Sequence, residues 1–130
     1  MYDVIVIGAG PAGANAALSA DQKGLKVLLI DEQKYAGGQI WRQKSKSILK
    51  AQATEASEKG AALSANISKS KIDVRYNSRV WHIEKSDDGT WLVAAERDHL
   101  KAKALVIATG AQERIIPVPG WTLPGVMGLA

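Results

Sequence analysis

Apolar residues fall into short runs along the chain, and these runs predict a buried β-sheet with helices packed against it. Tyr2–Ile7 (YDVIVI) and Lys26–Ile30 (KVLLI) are rich in β-branched and aliphatic residues, which is typical of buried parallel strands. Between them, the alanine-rich stretch from Ala12 to Gln22 predicts a helix that stops at Gly24. A strand, a helix and a second strand in this order predict a right-handed βαβ unit.

A second helix is predicted from about Ser47 to Ser68, where small and apolar residues recur at steps of three and four. Gly60 lies on the apolar face of this stretch. It either lets the helix approach the sheet closely or marks a break between two helices. Ile72–Arg75 predicts a third short strand.

An antiparallel excursion is predicted next. Arg79–Lys85 and Thr90–Arg97 alternate between apolar and polar residues, and the Asp-Gly pair in the segment between them favours a hairpin turn. Ala104–Ala108 (ALVIA) then returns as a further buried strand. The segment from Pro117 to Gly128 is rich in proline and glycine and predicts a connection. The chain is therefore of the α/β class, with a parallel sheet, helices and an antiparallel β excursion.

The segment Gly8-Ala9-Gly10-Pro11-Ala12-Gly13 matches G-x-G-x-x-G at the point where the first strand meets the first helix. In this context Gly8 permits a tight turn, Gly10 lets the backbone approach a pyrophosphate, and Gly13 lets the helix pack on the strand. Asp31 ends the second strand, 18 residues after Gly13. Its carboxylate is expected to accept hydrogen bonds from ribose hydroxyls and to repel a 2′-phosphate. These features predict a site for a dinucleotide at the helix N-terminus.

Composition narrows the function further. The 130 residues include no cysteine, which excludes disulfides, thiolate metal sites and a dithiol redox pair within this sequence. The net charge of +4 is not accompanied by aromatic residues among the lysines, so nucleic-acid binding is not predicted. No apolar run is long enough to span a bilayer, and we expect a cytoplasmic protein without a transmembrane segment. No spacing of histidine or acidic residues predicts a metal site.

Several motifs occur in an order that resembles a known group of proteins. They are Asp31-Glu32-Gln33, Gly37-Gly38-Gln39-Ile40-Trp41-Arg42-Gln43, Arg79-Val80-Trp81, Ala108-Thr109-Gly110-Ala111-Gln112-Glu113-Arg114 and Pro119-Gly120-Trp121-Thr122-Leu123-Pro124-Gly125-Val126-Met127. The chain resembles the N-terminal FAD-binding segment of FAD/NAD(P)-dependent flavoproteins with two dinucleotide domains, and thus a Rossmann-like fold. Within them it resembles the flavoprotein subunits of the opine oxidase, hydrogen cyanide synthase and proline or hydroxyproline dehydrogenase group.

The resemblance implies that FAD is the nucleotide and that it lies along the carboxyl ends of the strands. Gly38 and Gln39 would lie along the FAD, the backbone of Arg79 and Val80 would face the adenine, and Thr109 and Gly110 would approach from the neighbouring strand end. The full set of expected cofactor-binding residues is Gly8, Gly10, Pro11, Ala12, Gly13, Asp31, Glu32, Gly38, Gln39, Arg79, Val80, Ala108, Thr109 and Gly110.

The resemblance also implies a domain arrangement. Residues 1–116 would form the N-terminal part of an FAD-binding domain, and residues 117–130 would connect it to an NAD(P)-type domain. NAD(P) would bind only in that second domain. The sequence stops at Ala130, about where that domain is expected to start, so the pocket for the flavin ring is expected to be incomplete within these residues.

The activity implied for the parent protein is oxidation of a C–N bond in an amino acid, an imino acid or an opine, with other subunits as partners. No residue is assigned as a catalytic acid or base. One alternative is an NAD(P)H-dependent flavin reductase resembling thioredoxin reductase, which a Cys-x-x-Cys in a second domain would indicate. Another is a non-catalytic module for cofactor binding or subunit docking.

Overall fold

In the part of the chain that the structure describes, six strands form one mixed sheet in the order β3-β2-β1-β6-β5-β4, and two helices accompany it. The computed structural model describes residues 1–42, 54–112, 114 and 116–127. The elements are β1 (Tyr2–Ile7), α1 (Pro11–Gln22), β2 (Val27–Ile30), α2 (Glu55–Lys69), β3 (Asp73–Arg75), β4 (Val80–Lys85), β5 (Trp91–Ala95) and β6 (Asp98–Ile107).

The predicted α/β class is confirmed. Strands β3, β2, β1 and β6 run parallel, so that β1 lies between β2 and β6 at the centre of this half of the sheet. Strands β4, β5 and β6 are antiparallel, which is the predicted excursion, and Ser86–Gly89 forms the hairpin turn between β4 and β5. The observed β1, α1 and β2 also confirm the predicted βαβ unit.

The last strand differs from the prediction. We expected a strand only over Ala104–Ala108, but β6 begins at Asp98. Its first half pairs with β5 and its second half with β1, so that a single strand joins the antiparallel and parallel parts. Charged residues interrupt the apolar pattern of its first half. Even so, the inward positions Leu100 and Ala102 alternate with polar ones.

Each face of the sheet has its own apolar core. On one face, Val6 and Leu29 of the central strands pack in a cluster with Ala14 and Ala17 of α1 and with residues of α2. On the other face, apolar residues of β1 and β2 share a buried cluster with residues of β5 and β6; its buried members are Ile5, Ile7, Leu28, Ile30, Val93, Ala95 and Ala102. The two central parallel strands, β1 and β2, therefore have apolar clusters on both faces, which is typical of parallel strands.

Helix α2 runs unbroken through Gly60, which is buried, so that the alternative of two helices is wrong for the described part of this stretch. It starts in a capping box in which Ser57 N–H donates to Thr54 Oγ1 over 3.3 Å and Thr54 N–H donates to Ser57 Oγ over 2.9 Å. Predicted helical residues 47–53 lie outside the described residues. In the described ranges, neither helix is long and apolar enough to cross a membrane.

Candidate functional site

The carboxyl ends of the four parallel strands meet at one edge of the sheet. The ladder continues one residue beyond each of three strands: Gly8 N–H donates to Ile30 O over 2.8 Å, Asp31 N–H to Arg75 O over 2.9 Å, and Ala108 N–H to Ile7 O over 2.8 Å. The three segments with the predicted site residues are thus brought to the same edge. This is the edge at which open α/β sheets bind ligands.

The three fingerprint glycines have three different reasons to lack a side chain. Gly8 has φ +101°, and a Cβ there would lie 2.3 Å from the Ala108 carbonyl oxygen. A Cβ on Gly13 would lie 1.9 Å from the Gly8 carbonyl oxygen, so its absence lets α1 approach β1. A Cβ on Gly10 would meet no heavy atom of the described residues within 4 Å. Gly8 and Gly13 are therefore required by the protein's own packing, whereas Gly10 borders open space.

That open space lies at the N-terminus of α1. Gly10 is the N-cap, Pro11 begins the helix, and no side chain of the described residues caps this end by a hydrogen bond. The first intrahelical bond runs from Ala14 N–H to Gly10 O over 2.9 Å. The N–H groups of Ala12 and Gly13 therefore point out of the helix without an intrahelical acceptor. An uncapped N-terminus with unpaired N–H groups favours an anion such as a phosphate.

The Gly37-Gly38 loop lies directly against the glycine turn. Gly37 N–H donates to Ala9 O over 2.8 Å, and Trp41 N–H closes the loop by donating to Gly37 O over 3.0 Å. Gly38 has φ +60°, and a Cβ there would lie 3.0 Å from Gly10 Cα. The two glycine segments thus form adjoining walls of the open space at Gly10.

Asp31 points into the glycine turn. One oxygen of its half-buried carboxylate accepts from Ala9 N–H over 2.5 Å, and the other accepts from Gln33 N–H over 2.6 Å. Both oxygens therefore hold the protein's own backbone, and this contact ties the end of β2 to the turn after β1. The predicted role of Asp31 at a ribose stays a prediction.

Glu32, the next residue, faces an open cavity of about 360 Å³ that is lined by Glu32, Asn77, Arg79, Trp81 and Glu96. Its carboxylate accepts from Arg79 Nε over 3.3 Å, and the two side chains remain 56% and 77% exposed. An exposed pair of this kind exchanges readily with solvent or ligand. The cavity is large enough to hold a small molecule, for which pockets of about 300–1,000 Å³ are usual.

Arg79 reaches the cavity as predicted, but its backbone is already engaged. Arg79 N–H donates to Glu96 Oε1 over 2.9 Å, and Arg79 O accepts from Glu96 N–H over 3.2 Å. Val80 pairs with Ala95 at the start of the hairpin. That Arg79 and Val80 offer backbone groups to an adenine stays a prediction, and at Arg79 it would require the contacts with Glu96 to be exchanged.

The remaining predicted site residues, Gln39, Ala108, Thr109 and Gly110, lie at the same edge of the sheet. Gln39 and Thr109 are exposed, and Ala108 is partly buried. Gly110 has φ +75°, and a Cβ there would meet no heavy atom of the described residues within 4 Å. Residue 113, within the Ala108–Arg114 motif, and residue 115, directly after it, lie outside the described residues.

Sequence reasoning missed Tyr76, which follows β3 and lies near the Asp31 carboxylate. Burial raises the pKa of the Tyr76 phenol, the Asp31 carboxylate raises this pKa further, and a backbone hydrogen bond with Ala36 opposes the shift. The ring packs against the cluster formed with α1 and α2. Its position directly after β3 was the available signal, because residues that follow parallel strands collect at this edge.

The fold and the edge geometry together define a nucleotide-binding α/β domain of the dinucleotide type. The sequence profile of the pyridine nucleotide-disulphide oxidoreductase family matches residues 2–129, and the chain belongs to this family. The predicted resemblance is thereby confirmed at the level of the family.

Individual proteins of known name are similar to this chain in sequence or in structure. The chain is 39% identical to an opine oxidase subunit from Agrobacterium tumefaciens, over 97% of this chain and 27% of that protein. It is 36% identical to hydrogen cyanide synthase subunit HcnB of Pseudomonas aeruginosa, over 95% of this chain and 27% of that protein. Its structure is similar to that of Lactococcus lactis thioredoxin reductase, with a TM-score of 0.73 and 29% identity over 92% of this chain and 39% of that one. The chain spans about a quarter of the length of the opine oxidase and hydrogen cyanide synthase proteins.

Proposed function

We propose that this chain binds FAD as part of a flavin-dependent oxidoreductase. One observation carries the proposal: the missing side chain at Gly10 leaves open space at an uncapped helix N-terminus, whereas packing alone accounts for Gly8 and Gly13. A diphosphate would fill that space and accept from the N–H groups of Ala12 and Gly13. Membership of the family and the positions of the expected FAD-contacting residues at one edge support the same conclusion.

The adenosine half would extend from the diphosphate toward the cavity at Glu32. Asp31 already holds Ala9 and Gln33, so it supports the turn, while the exposed Glu32 carboxylate is available to accept from ribose hydroxyls. This assigns support of the turn to Asp31 and adds Glu32 as a ribose-binding carboxylate beside the one predicted at Asp31. A negatively charged cavity wall at this place also disfavours a 2′-phosphate.

A bound flavin would supply the redox chemistry by accepting a hydride equivalent, two electrons and a proton, from the substrate. The contribution of the described residues is to bind and orient the cofactor. The helix N-terminus stabilises the phosphate charge, and the two glycine segments exclude side chains from its path. No described residue is assigned a proton-transfer role.

For the whole protein we propose oxidation of a C–N bond in an amino acid, an imino acid or an opine. The similarity to the opine oxidase protein over 97% of this chain supports this class of substrate. The relatives are named as subunits, which supports an assembly with partner subunits. We further propose that residues 1–116 belong to the FAD-binding domain and that 117–130 lead to an NAD(P)-type domain. Exposed apolar residues in this segment support a contact with another domain or subunit; they include Val118, Leu123, Val126 and Met127.

A second candidate is an NAD(P)H-dependent flavin reductase, which the structural similarity to thioredoxin reductase favours. The feature that would mark a reductase of the thioredoxin reductase kind is a Cys-x-x-Cys, and the 130 residues contain no cysteine. A Cys-x-x-Cys elsewhere in the same protein would support this candidate over oxidation of a C–N bond.

Gly10→Val tests the FAD proposal. The φ of Gly10 is −65°, which any residue adopts, so valine would project into the open space without backbone strain. We expect loss of about 1 kcal/mol of stability or less, because valine is a weaker N-cap than glycine. We expect FAD affinity, measured by flavin fluorescence titration, to fall by about a hundredfold, since a phosphate contact set worth several hydrogen bonds is blocked.

Ser19→Val is the matched control, because it adds bulk to an exposed position on the same helix. Its FAD affinity should equal that of the wild type. Equal affinity of Gly10→Val and Ser19→Val for FAD would overturn the proposal. For the substrate, anaerobic bleaching of flavin absorbance by proline, glycine, sarcosine or nopaline in the assembled protein would identify the class, and bleaching by NAD(P)H alone would favour the reductase.

A further inference from the structure

We infer that Glu96 is a positioning residue for the adenosine end of the FAD site, an inference that rests on the proposed function. Glu96 is remote in sequence from the glycine fingerprint and belongs to none of the motifs that carry the family resemblance. It lies in the two-residue turn between Ala95 of β5 and Asp98 of β6 and lines the same cavity as Glu32.

The backbone of Glu96 adopts a conformation that its residue type disfavours. Its φ is +52°, in the left-handed region, where glycine is the usual residue. Only one other non-glycine residue with positive φ occurs in the described ranges, Asn77 with φ +51°, and it lines the same cavity. A two-residue hairpin turn requires positive φ at its first position, so the turn between β5 and β6 calls for this conformation at Glu96, and hydrogen bonds with Arg79 hold a residue other than glycine there.

Three hydrogen bonds hold Glu96 against the start of β4. Its carboxylate accepts from Arg79 N–H over 2.9 Å, its N–H donates to Arg79 O over 3.2 Å, and its carbonyl accepts from Trp81 Nε1–H over 3.1 Å. The β4–β5 register shifts between Val80 and His82, so that Trp81 lies in a bulge. A bulge redirects a side chain, and the bond to Glu96 fixes where the exposed indole points.

Glu96 therefore sets the positions of two other residues of the cavity wall. It holds the backbone of Arg79, while Glu32 holds the guanidinium of the same residue over 3.3 Å. It also anchors Trp81, whose ring is the one aromatic surface among the residues that line the cavity. Arg79 and Trp81 are thus held on the wall that faces Glu32, which we assign to the ribose. Without Glu96 the bulge and Arg79 would be free to shift relative to Glu32.

Glu96→Gly and Glu96→Gln test the inference in the protein at its natural length. Glycine adopts φ +52° without strain but removes the carboxylate that holds Arg79, whereas glutamine keeps an oxygen acceptor at the same reach. Two quantities are measured for each variant: the dissociation constant for FAD by flavin fluorescence titration, and the thermal unfolding midpoint without FAD. Asp87→Gly is the control, because it removes an exposed acidic side chain from the hairpin turn of the same antiparallel strands.

We expect Glu96→Gly to bind FAD about tenfold more weakly, the loss expected for one hydrogen bond to a charged group, with its unfolding midpoint close to that of the wild type. Glu96→Gln should stay within about threefold of the wild type, and Asp87→Gly should bind FAD as the wild type does. A merely structural role would lower the midpoint of Glu96→Gly in parallel with its affinity, and that result would overturn the inference.

Unchanged FAD affinity in Glu96→Gly would also overturn it. If Gly10→Val still weakened binding in that case, the FAD site itself would stand and only the role of Glu96 would be lost. If the wild-type protein bound no FAD, both proposals would fail together.

Discussion

At the scale of single residues, two neighbouring carboxylates occupy different environments. Asp31 accepts hydrogen bonds from the backbone N–H groups of Ala9, which follows β1, and Gln33, which follows β2. Glu32 is 56% exposed, and its carboxylate is paired with the exposed side chain of Arg79. The same functional group therefore supports the fold at one position and is available to a ligand at the next.

Asp31→Asn and Glu32→Gln should separate these roles. Asparagine keeps one acceptor oxygen and places an NH₂ against a backbone N–H, so we expect the free energy of unfolding to fall by about 1–3 kcal/mol. Glutamine at the exposed position should change the free energy of unfolding by less than about 0.5 kcal/mol and weaken FAD binding by about tenfold. Urea unfolding and flavin titration measure the two effects. A large stability loss in Glu32→Gln with unchanged affinity would contradict the assignment.

The sequence indicates the backbone geometry of the fingerprint glycines but not that of two other residues, Glu96 and Asn77. The spacing of Gly8, Gly10 and Gly13 after an apolar run is enough to predict a turn, a ligand approach and a helix contact. The structure shows the turn at Gly8, the helix contact at Gly13 and open space at Gly10, where the ligand approach stays a prediction. Glu96 and Asn77 adopt positive φ without being glycine. At Glu96 the two-residue turn between β5 and β6 calls for positive φ, and the sequence has no glycine there to indicate it.

At the scale of elements, the packing of α1 on β1 depends on one missing side chain. Gly13 is buried in the first turn of α1, and its Cβ would lie 1.9 Å from the Gly8 carbonyl oxygen and 3.0 Å from Ala108 Cβ. Neither a backbone oxygen in a tight turn nor the strand end behind it can move far. The helix therefore sits closer to the sheet than any residue other than glycine would allow.

Gly13→Ala should accordingly destabilise the protein by about 3 kcal/mol, at the upper end of the usual overpacking cost, because the helix must shift as a unit. Gly10→Ala, three residues earlier, adds the same methyl group into open space and should cost about 1 kcal/mol or less. The free energy of unfolding of the two variants, measured in urea, checks this. Equal losses would show that the helix does not depend on this contact.

Element boundaries show where local patterns stop being informative. The runs of β1, β2 and α1 were predicted to within a residue or two, because burial on both faces of a parallel strand leaves an uninterrupted apolar signature. The first half of β6 was missed, because only one of its faces is buried and the other carries His99, Lys101 and Lys103.

At the scale of the whole molecule, residues that are far apart in sequence make contacts at the edge of the sheet opposite the candidate site. Asp3 at the start of β1 accepts from Lys26 N–H before β2 over 2.9 Å and from Lys103 Nζ on β6 over 2.7 Å. The hydrogen bond with Lys103 is the largest cause that lowers the pKa of Asp3, and the Lys26 backbone N–H adds to it. One carboxylate thus links three strands.

The stability that Asp3 contributes should depend on pH. Because its folded-state pKa lies below the usual 3.8, the folded state binds the proton less readily than the unfolded chain, and the contribution is present above about pH 4. It is lost as the pH falls through the folded-state pKa. Asp3→Asn should therefore unfold at a lower temperature than the wild type at pH 7, and the two midpoints should converge as the pH falls below the folded-state pKa of Asp3. Asp87→Asn, in the hairpin turn, should show no such convergence because its midpoint should match the wild type throughout.

The sequence by itself determined the α/β class, the βαβ unit and the place of the glycine turn between β1 and α1, because buried strands and the glycine fingerprint are patterns of near neighbours. Tertiary structure alone decided that Asp31 supports the turn while Glu32 faces the cavity, that β6 serves both halves of the sheet, and that Glu96 closes on Arg79. Each of these depends on segments 17 or more residues apart meeting in space, and no local pattern specifies which partners the returning chain will bring together.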